Sequence, residues 1–430
     1  MILLLFIHMN GVNAQTTDTL HRELMIDAEL RPRAEFRDHY MWSIADAEMP
    51  KLYFTQRNRL NINYKSKWVR LHASPQEIHV WGESGTISKV GSINFFELYA
   101  EPRIGKNLTA RIGRQALSLD NGKIFSAAPW SQQSRAHEGI RVMYKNKLET
   151  DFTFAFTRSY GERFDVAYSP VASHTYKYLL VHHLKHNFTN HFTLTTINAL
   201  DELKSTKEEN RFYPRITQGG RLEYTLGWFY GTVSAYYQHG RQYGQNAAAT
   251  HLRAYYIQPE ISAKTEKTLV RLGMEVMSGN KMNDPQNISR SFVPLYGVAW
   301  KFMGNMNLFT RFPADVNGKG MINPYLFVMY QANKKLSLRG DAHLFYTQYP
   351  LIKQDVEIDG KYLGFESDLS LNYKPIRSLE ITYGFSFAIA HRRAELLHKI
   401  TNAAETPIWS YLMVSYTPRL LSRKGFRVRP

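Results

Sequence analysis

From Met25 onward the chain returns repeatedly to a period of two, and one of the two faces so defined is made of charge. In an extended strand successive side chains point to opposite sides, so this period both names a strand and sorts its residues. Between Ala28 and Arg37, Ala28, Leu30, Pro32, Ala34 and Phe36 fall on one side, and Glu29, Arg31, Arg33, Glu35 and Arg37 on the other. Leu60, Ile62 and Tyr64 likewise oppose Arg57, Arg59, Asn61 and Asn63. Leu336, Leu338, Ala342, Leu344 and Tyr346 oppose Arg339, Asp341 and His343, and Leu363, Phe365, Leu369, Leu371 and Tyr373 oppose Glu366, Asp368, Ser370 and Asn372. A strand of a soluble sandwich alternates too, but its outer face is seldom wholly charged. A wall with lipid on one side and water on the other demands both faces at once.

Composition removes the competing classes. Mean hydropathy is −0.40, and beyond the N-terminus no apolar run approaches the roughly 18 residues of a spanning helix. The 27 Tyr, 24 Phe and 7 Trp exclude a disordered basic protein, which would be poor in aromatics. The absence of cysteine excludes disulfide scaffolds, thiolate zinc sites and cysteine nucleophiles.

The connections are of two kinds. Short polar turns flanked by aromatic or apolar residues occur at Asn63 to Trp68, Met143 to Leu148, His183 to Phe188, Tyr330 to Leu336 and Tyr373 to Leu379. They read as hairpin ends carrying the aromatic girdle of a membrane barrel. Longer segments rich in Gly, Asn, Ser, Pro and charge run from Asp120 to Ser134, Gly161 to Ser173, Asp201 to Ile216, Ser278 to Ser291 and His391 to Glu405. The expected fold is therefore all-β, a single transmembrane antiparallel barrel with short periplasmic turns and long extracellular loops. At about 9 to 11 residues per tilted strand plus a comparable connection, the length suits roughly 16 to 18 strands, with about 18 preferred. The stretch Pro294 to Phe312 fits that rhythm least well. A barrel this wide is not filled by wall side chains alone and encloses a channel.

Ile2 to Ile7 form a short apolar block, and Val12, Asn13 and Ala14 offer a small-residue cut before Gln15. That pattern predicts a signal peptide over 1–14, a barrel over 15–418 and a basic C-terminal tail over 419–430. An exported barrel belongs in the outer membrane of a Gram-negative-type bacterium, inserted there by barrel-assembly machinery. The tail is expected to meet anionic lipid head groups.

Charge on the outer face near the bilayer midplane costs about 2–4 kcal/mol, so the charged face is expected to look inward. That places Arg31, Arg33, Arg37, Arg57, Arg59, Glu97, Arg111, Arg141, Arg221, Arg271, Glu275, Arg339 and Asp341 along the lumen, with Glu29, Glu101, Glu223, Glu366 and Asp368 beside them. Guanidinium groups grip carboxylates and phosphates in a planar fork, and interspersed carboxylates let a solute leave as readily as it enters. The expected partner is an anionic carbohydrate or a small anionic solute. No cofactor, metal or nucleic acid is expected, because the basic residues alternate with aliphatic and acidic ones instead of forming a tract.

The stretch Leu108 to Val142 is more particular. It contains Gly113-Arg114-Gln115, then Gly122, then Trp130 and Gln132, then Arg135, and then Glu138-Gly139 opening a new strand. In this pattern it resembles the alginate export family of outer-membrane barrels. The resemblance implies an 18-stranded barrel with an electropositive constriction passing an anionic polysaccharide, and adds Arg114, Gln115, Trp130, Arg135 and Glu138 to the pore-lining set.

The rival classes are an outer-membrane hydrolase and a structural or adhesive surface barrel. A hydrolase needs a serine and a histidine on one wall; Ser337 and His343 share the face of Arg339 and Asp341. Period-two strands bring polar residues onto one face by default, so the chain is read as a channel and not an enzyme.

Overall fold

The computed structural model describes residues 22–40, 50–83, 93–157, 176–203, 213–243, 249–298, 303–309, 311–397 and 405–425. The expected signal peptide and the segment Gly161 to Ser173 lie outside the described residues.

Eighteen antiparallel strands form one closed sheet among the described residues. The first half comprises β1 (Glu23–Asp38), β2 (Lys51–Lys65), β3 (Val69–Val80), β4 (Asn94–Pro102), β5 (Leu108–Gln115), β6 (His137–Lys145), β7 (Leu148–Phe156), β8 (Tyr176–Asn187) and β9 (Phe192–Leu203). The second half comprises β10 (Pro214–Leu226), β11 (Phe229–Tyr243), β12 (Ala249–Lys264), β13 (Thr268–Met277), β14 (Met321–Gln331), β15 (Leu336–Tyr346), β16 (Tyr362–Ile376), β17 (Leu379–Ala390) and β18 (Ile408–Tyr416). Each pairs with the next, and β18 returns to β1, with Leu30 opposite Tyr416 and Asp38 opposite Ile408. Closure leaves no open edge, the condition for a sheet to cross a bilayer. No described helix is long and apolar enough to do so.

Connections after even-numbered strands are short, as at 66–68, 146–147, 227–228 and 377–378. Those after odd-numbered strands are longer, apart from the five residues between β11 and β12, so the barrel has a turn edge and a loop edge. Pro294 to Phe312, the stretch that fitted the strand rhythm least, belongs to the longest connection, 278–320.

The alternation sorts as physics requires. Leu30, Leu60, Ile112, Phe152, Leu222, Val233, Ile261, Leu272, Leu369 and Leu412 are exposed on the outer wall. Trp68, Tyr144, Trp228, Tyr330, Tyr373 and Tyr416 stand exposed near the turn edge, the place of an interfacial aromatic girdle. An outward polar group interrupts the belt on β2 and β3, and its members satisfy one another. The Gln56 amide donates to Asn58 at 2.8 Å, the Asn58 amide to Glu77 at 2.8 Å, and His79 lies 2.8 Å from Glu77.

The C-terminal boundary needs correction. Residues Arg419–Lys424 are not a tail but continue β18 along the turn-edge half of β1, pairing Glu23 with Lys424 and Asp27 with Arg419. The reason lies in β1, which is 16 residues long against nine for Ile408–Tyr416. Without the continuation, the first residues of β1 would offer unpaired backbone donors and acceptors. The Ala28 amide donates to Pro418 O at 3.0 Å across the break, and Arg419–Asp27 (2.9 Å) and Lys424–Glu23 (3.5 Å) ion pairs line the seam. Phe426 to Pro430 lie outside the described residues.

Candidate functional site

The lumen is crossed by two connections, 116–136 and 278–320, that fold inward from the loop edge. Apart from Ile288–Ser289, which pairs in parallel with β12, and a single bridge between the two connections, their backbone has no ladder partner, so most of its carbonyl and amide groups must find donors and acceptors elsewhere. Charged residues of the wall supply them. On β1, Arg31 donates to Pro129 O (2.8 Å), Trp130 O (3.2 Å), Ser131 O (2.6 Å) and the Gln132 side chain (3.1 Å). On β2, Arg57 donates to Ser131 O (3.1 Å), Gln132 O (3.3 Å) and Ser134 Oγ (3.2 Å), and it pairs with Glu29. Two guanidinium groups thus hold a run of successive loop carbonyls, a task suited to five fixed N–H donors.

The acidic wall does the converse. On β16, Glu366 accepts the Met306 amide at 2.7 Å and Asp368 accepts the Asn305 amide at 3.1 Å. Gly304 sits there at φ +83°, and a Cβ at that position would lie 2.2 Å from a Glu366 carboxylate oxygen. Glycine is required by both conformation and space. Carbonyls are held where the wall is basic and amides where it is acidic.

Between these two walls stands an aromatic group. Trp409 and Tyr411 on β18 point inward, and Trp130 of the first loop packs edge-on against each at 5.6 Å. Arg33 lies over the Trp130 ring at 4.3 Å and pairs with Glu35 at 2.7 Å. Arg37 bonds Glu35 at 2.8 Å and lies 4.8 Å over Tyr40; the Trp409 indole donates to the same carboxylate at 3.1 Å.

The far end of the first loop is anchored across the barrel. Lys123 (1% side-chain exposure) lies 2.5 Å from Glu275 of β13 (0%). Glu275 also accepts from Tyr256 (2.8 Å) and Asn323 (3.3 Å). Asp120 meets His183 at 3.0 Å, and Asn121 donates to Gln258 at 3.0 Å. The two loops then join each other. Phe125 and Tyr296 form a parallel bridge, the Tyr296 amide donates to Ile124 O at 3.0 Å, and Arg135 donates to Tyr296 O and to Gly297 O (2.9 Å). Tyr296 donates its hydroxyl to Asp201 of β9 at 2.8 Å. Phe125, Phe292, Met303, Met306, Phe309 and Phe312 fill the space between as an apolar core inside the barrel.

The remaining sequence-selected residues fall as follows. Arg59 points inward, bonded to Gln76 (2.6 Å) and lying over Phe96 (4.2 Å). Glu97 accepts the Ala116 amide at 2.8 Å, where the first loop leaves β5. Arg111 pairs with Glu101 (2.6 Å), Arg141 with Asp151 (2.8 Å), Arg221 with Glu223 (2.7 Å) and Arg339 with Asp341 (2.6 Å). Arg271 lies over Phe327 at 4.7 Å, and Arg339 over the same ring at 5.0 Å. The Gln115 amide donates to Gly113 O and Gly139 O at 3.3 Å.

Arg114 and Glu138 require correction. They share a face with Ile112 and Ile140, which are exposed on the outer wall, and they pair with each other there at 3.0 Å with side-chain exposures of 40% and 62%. Parity, not motif, decides their face: Gln115 and Arg111 go inward, so Arg114, one residue out of phase with Gln115, goes out. The hydrolase pairing fails on geometry too. Ser337 and His343 are six residues apart on β15, about 20 Å in an extended strand, and His343 bonds Asn323 at 3.3 Å.

Sequence reasoning missed Lys123, Tyr40, Trp409, Tyr411 and Tyr296 as parts of the site. The available signal was the apolar content of 292–312, where Phe292, Val293, Leu295, Val298, Met303, Met306, Leu308, Phe309 and Phe312 are too many for a solvated loop.

No protein-family model and no curated protein matches the sequence, so the resemblance to the alginate export family finds no support. Solved structures do match over nearly the whole chain. Acinetobacter baumannii OccAB1 is 12% identical with a TM-score of 0.63, covering 93% of this chain and 97% of its own. Pseudomonas aeruginosa OpdK, solved with vanillate, is 12% identical with a TM-score of 0.60, covering 94% and 99%. A BenF-like porin from Pseudomonas fluorescens Pf-5 is 13% identical with a TM-score of 0.61, covering 92% and 99%. At these identities the likeness concerns the barrel fold.

Proposed function

We propose that the protein is a diffusion channel of a Gram-negative-type outer membrane, taking small anionic or polyhydroxylated solutes through a basic, loop-narrowed lumen. The apolar outer belt and closed sheet support the membrane setting, and the porin fold of its structural neighbours supports a conduit. The observation that carries the solute class is the partial exposure of two lumenal guanidinium groups. Arg37 and Arg339 each keep 32% of the side chain exposed while bonded to Glu35 and Asp341. Arg31 and Arg57, by contrast, are occupied by loop carbonyls and have little left to offer a solute. A carboxylate passing Arg37 and Arg339 meets a fork-shaped donor set, and the neighbouring acids keep it from being held too tightly. Two loops crossing the lumen favour small solutes over a polymer, and the vanillate of OpdK is a carboxylate of suitable size to test.

The test is single-channel current of the full chain in a planar bilayer under a KCl gradient. The expected reversal potential marks anion preference, which Arg37→Gln with Arg339→Gln reduces by about half or more, and added vanillate interrupts the wild-type current. A pore that prefers cations, or no current at all, overturns the reading.

A further inference from the structure

The outer wall carries a basic pocket at the loop edge of β10, β11 and β12, with a volume of about 460 Å³. Tyr236, Gln238, Leu252, Ala254 and Tyr256 are buried on the lumen side, so alternation sends Tyr237, His239, Arg241, His251, Arg253 and Tyr255 outward. Their register is direct: Tyr237 faces Tyr255, His239 faces Arg253, and Arg241 faces His251. Two arginines and two histidines therefore form a square on the outside of the barrel. His239 bonds the Gln218 side chain at 3.3 Å. Arg241, His251 and Arg253 have no carboxylate partner among the described residues. The two guanidinium groups, always charged, thus stand near one another with no described carboxylate between them, and like charges at such range repel.

Height identifies that anion's source. Trp228 and Phe229 mark the turn edge of β11, and Val233 and Tyr237 are exposed above them. Eight residues from Phe229 to Tyr237 span about 26 Å along the strand, or roughly 20 Å along the barrel axis at the usual tilt. The apolar band of such a barrel is about 25 Å tall. His239 and Arg241 therefore begin where hydrocarbon ends and lipid head groups start. Arg241 and Arg253 are diagonal neighbours, with Cβ atoms about 7–8 Å apart, a spacing that lets both guanidinium forks reach one phosphate.

We propose that this pocket binds the phosphate of an anionic membrane lipid, gripped by Arg241 and Arg253 with its acyl chains lying down the Tyr237–Tyr255 pair. The inference rests on the reading of the outer wall as lipid-facing. Charge complementarity and the continuous apolar surface below the square favour a lipid over a free anion, because only a lipid uses both.

The experiment is native mass spectrometry of the full chain in neutral detergent, after equilibration with equal amounts of dioleoyl phosphatidic acid and dioleoyl phosphatidylcholine. The wild type is expected to retain one phosphatidic acid in preference to phosphatidylcholine. Arg241→Glu with Arg253→Glu is expected to lower that occupancy about ten- to a hundredfold, the worth of one or two charge-assisted hydrogen bonds. Lys147→Glu, in the turn at the opposite edge, leaves it unchanged. Arg241→Gln with Arg253→Gln, closer to the native size, gives the same direction should the reversed pair fail to fold as judged by heat-modifiable gel mobility. Equal retention of both lipids overturns the proposal, as does displacement of phosphatidic acid by millimolar inorganic phosphate, which would make the occupant a free anion. A chain that does not insert into phosphatidylcholine vesicles at all refutes the lipid-facing wall instead, so the two failures are distinguishable.

Discussion

Single residues in this barrel act as substitutes for missing backbone partners. Arg31 and Arg57 satisfy loop carbonyls, Glu366 and Asp368 satisfy loop amides, and Gln132 both accepts from Arg31 and donates to Thr55 at 2.8 Å. Lys123 is the clearest case of dependence, since its ammonium and Glu275 are buried together. Removing one member of a buried ion pair costs about 3–5 kcal/mol, whereas replacing both with apolar groups of similar size is often near neutral. Lys123→Met is therefore expected to release the first loop from β13, raising single-channel conductance and current noise, with Tyr256 and Asn323 still bonded to Glu275. Lys123→Met combined with Glu275→Gln, which removes the unpaired charge and keeps an acceptor for Tyr256 and Asn323, is expected to restore a quiet channel. Equal behaviour of the single and double variants in a bilayer recording would refute the anchoring role. At Gly139 the constraint is steric, because an added Cβ would lie 1.9 Å from Phe154 O of the neighbouring strand.

Among the elements, β18 has the most unusual construction. It is broken at Thr417-Pro418 and resumed at Arg419, because proline supplies no ladder donor while β1 still requires a partner down to Glu23. A chain ending at Pro418 is expected to leave Glu23–Asp27 as an open edge. Its yield of the heat-modifiable, folded form should fall severalfold, and Arg419→Ala with Lys424→Ala should fall far less, since exposed ion pairs contribute about 0–1 kcal/mol each. Folding yield on semi-denaturing gels decides the matter; an undiminished yield from the truncated chain would show that Ile408–Tyr416 closes the barrel alone.

The whole molecule is a wall around a second, smaller core. Two connections distant in sequence share the Phe125–Tyr296 bridge and a set of methionine and phenylalanine side chains, so the lumen is narrowed by one packed body rather than two separate flaps. The expected consequence is that a cavity in this core changes permeation without dismantling the wall. Phe125→Ala, at a fully buried position with its ring tilted against Tyr296 at 5.7 Å, removes packing worth about 3–5 kcal/mol. Conductance should rise and fluctuate while far-ultraviolet circular dichroism keeps the β signal of the wild type. Loss of that signal would mean the wall depends on its filling.

The alternation of Ala28 to Arg37 and its counterparts was enough, without any coordinates, to declare strands, to separate a greasy side from a wet one and to arrive at about eighteen of them. Local chemistry suffices there because the side-chain period of a strand is a covalent consequence of the backbone. Which of the inward charges remain available was decided only in three dimensions. Arg31 and Arg37 are six residues apart with the same parity, yet one is tied to the carbonyls of a segment about a hundred positions away, and the other pairs with Glu35 two residues from it and keeps 32% of its side chain exposed. Arg114 and Glu138 make the same point from outside, where a motif assigned them to the pore and the phase of their strands turned them toward the surroundings. Long-range partners are chosen by closure of the sheet and by where a loop finds donors for its orphan carbonyls, and neither is written in any local run of residues.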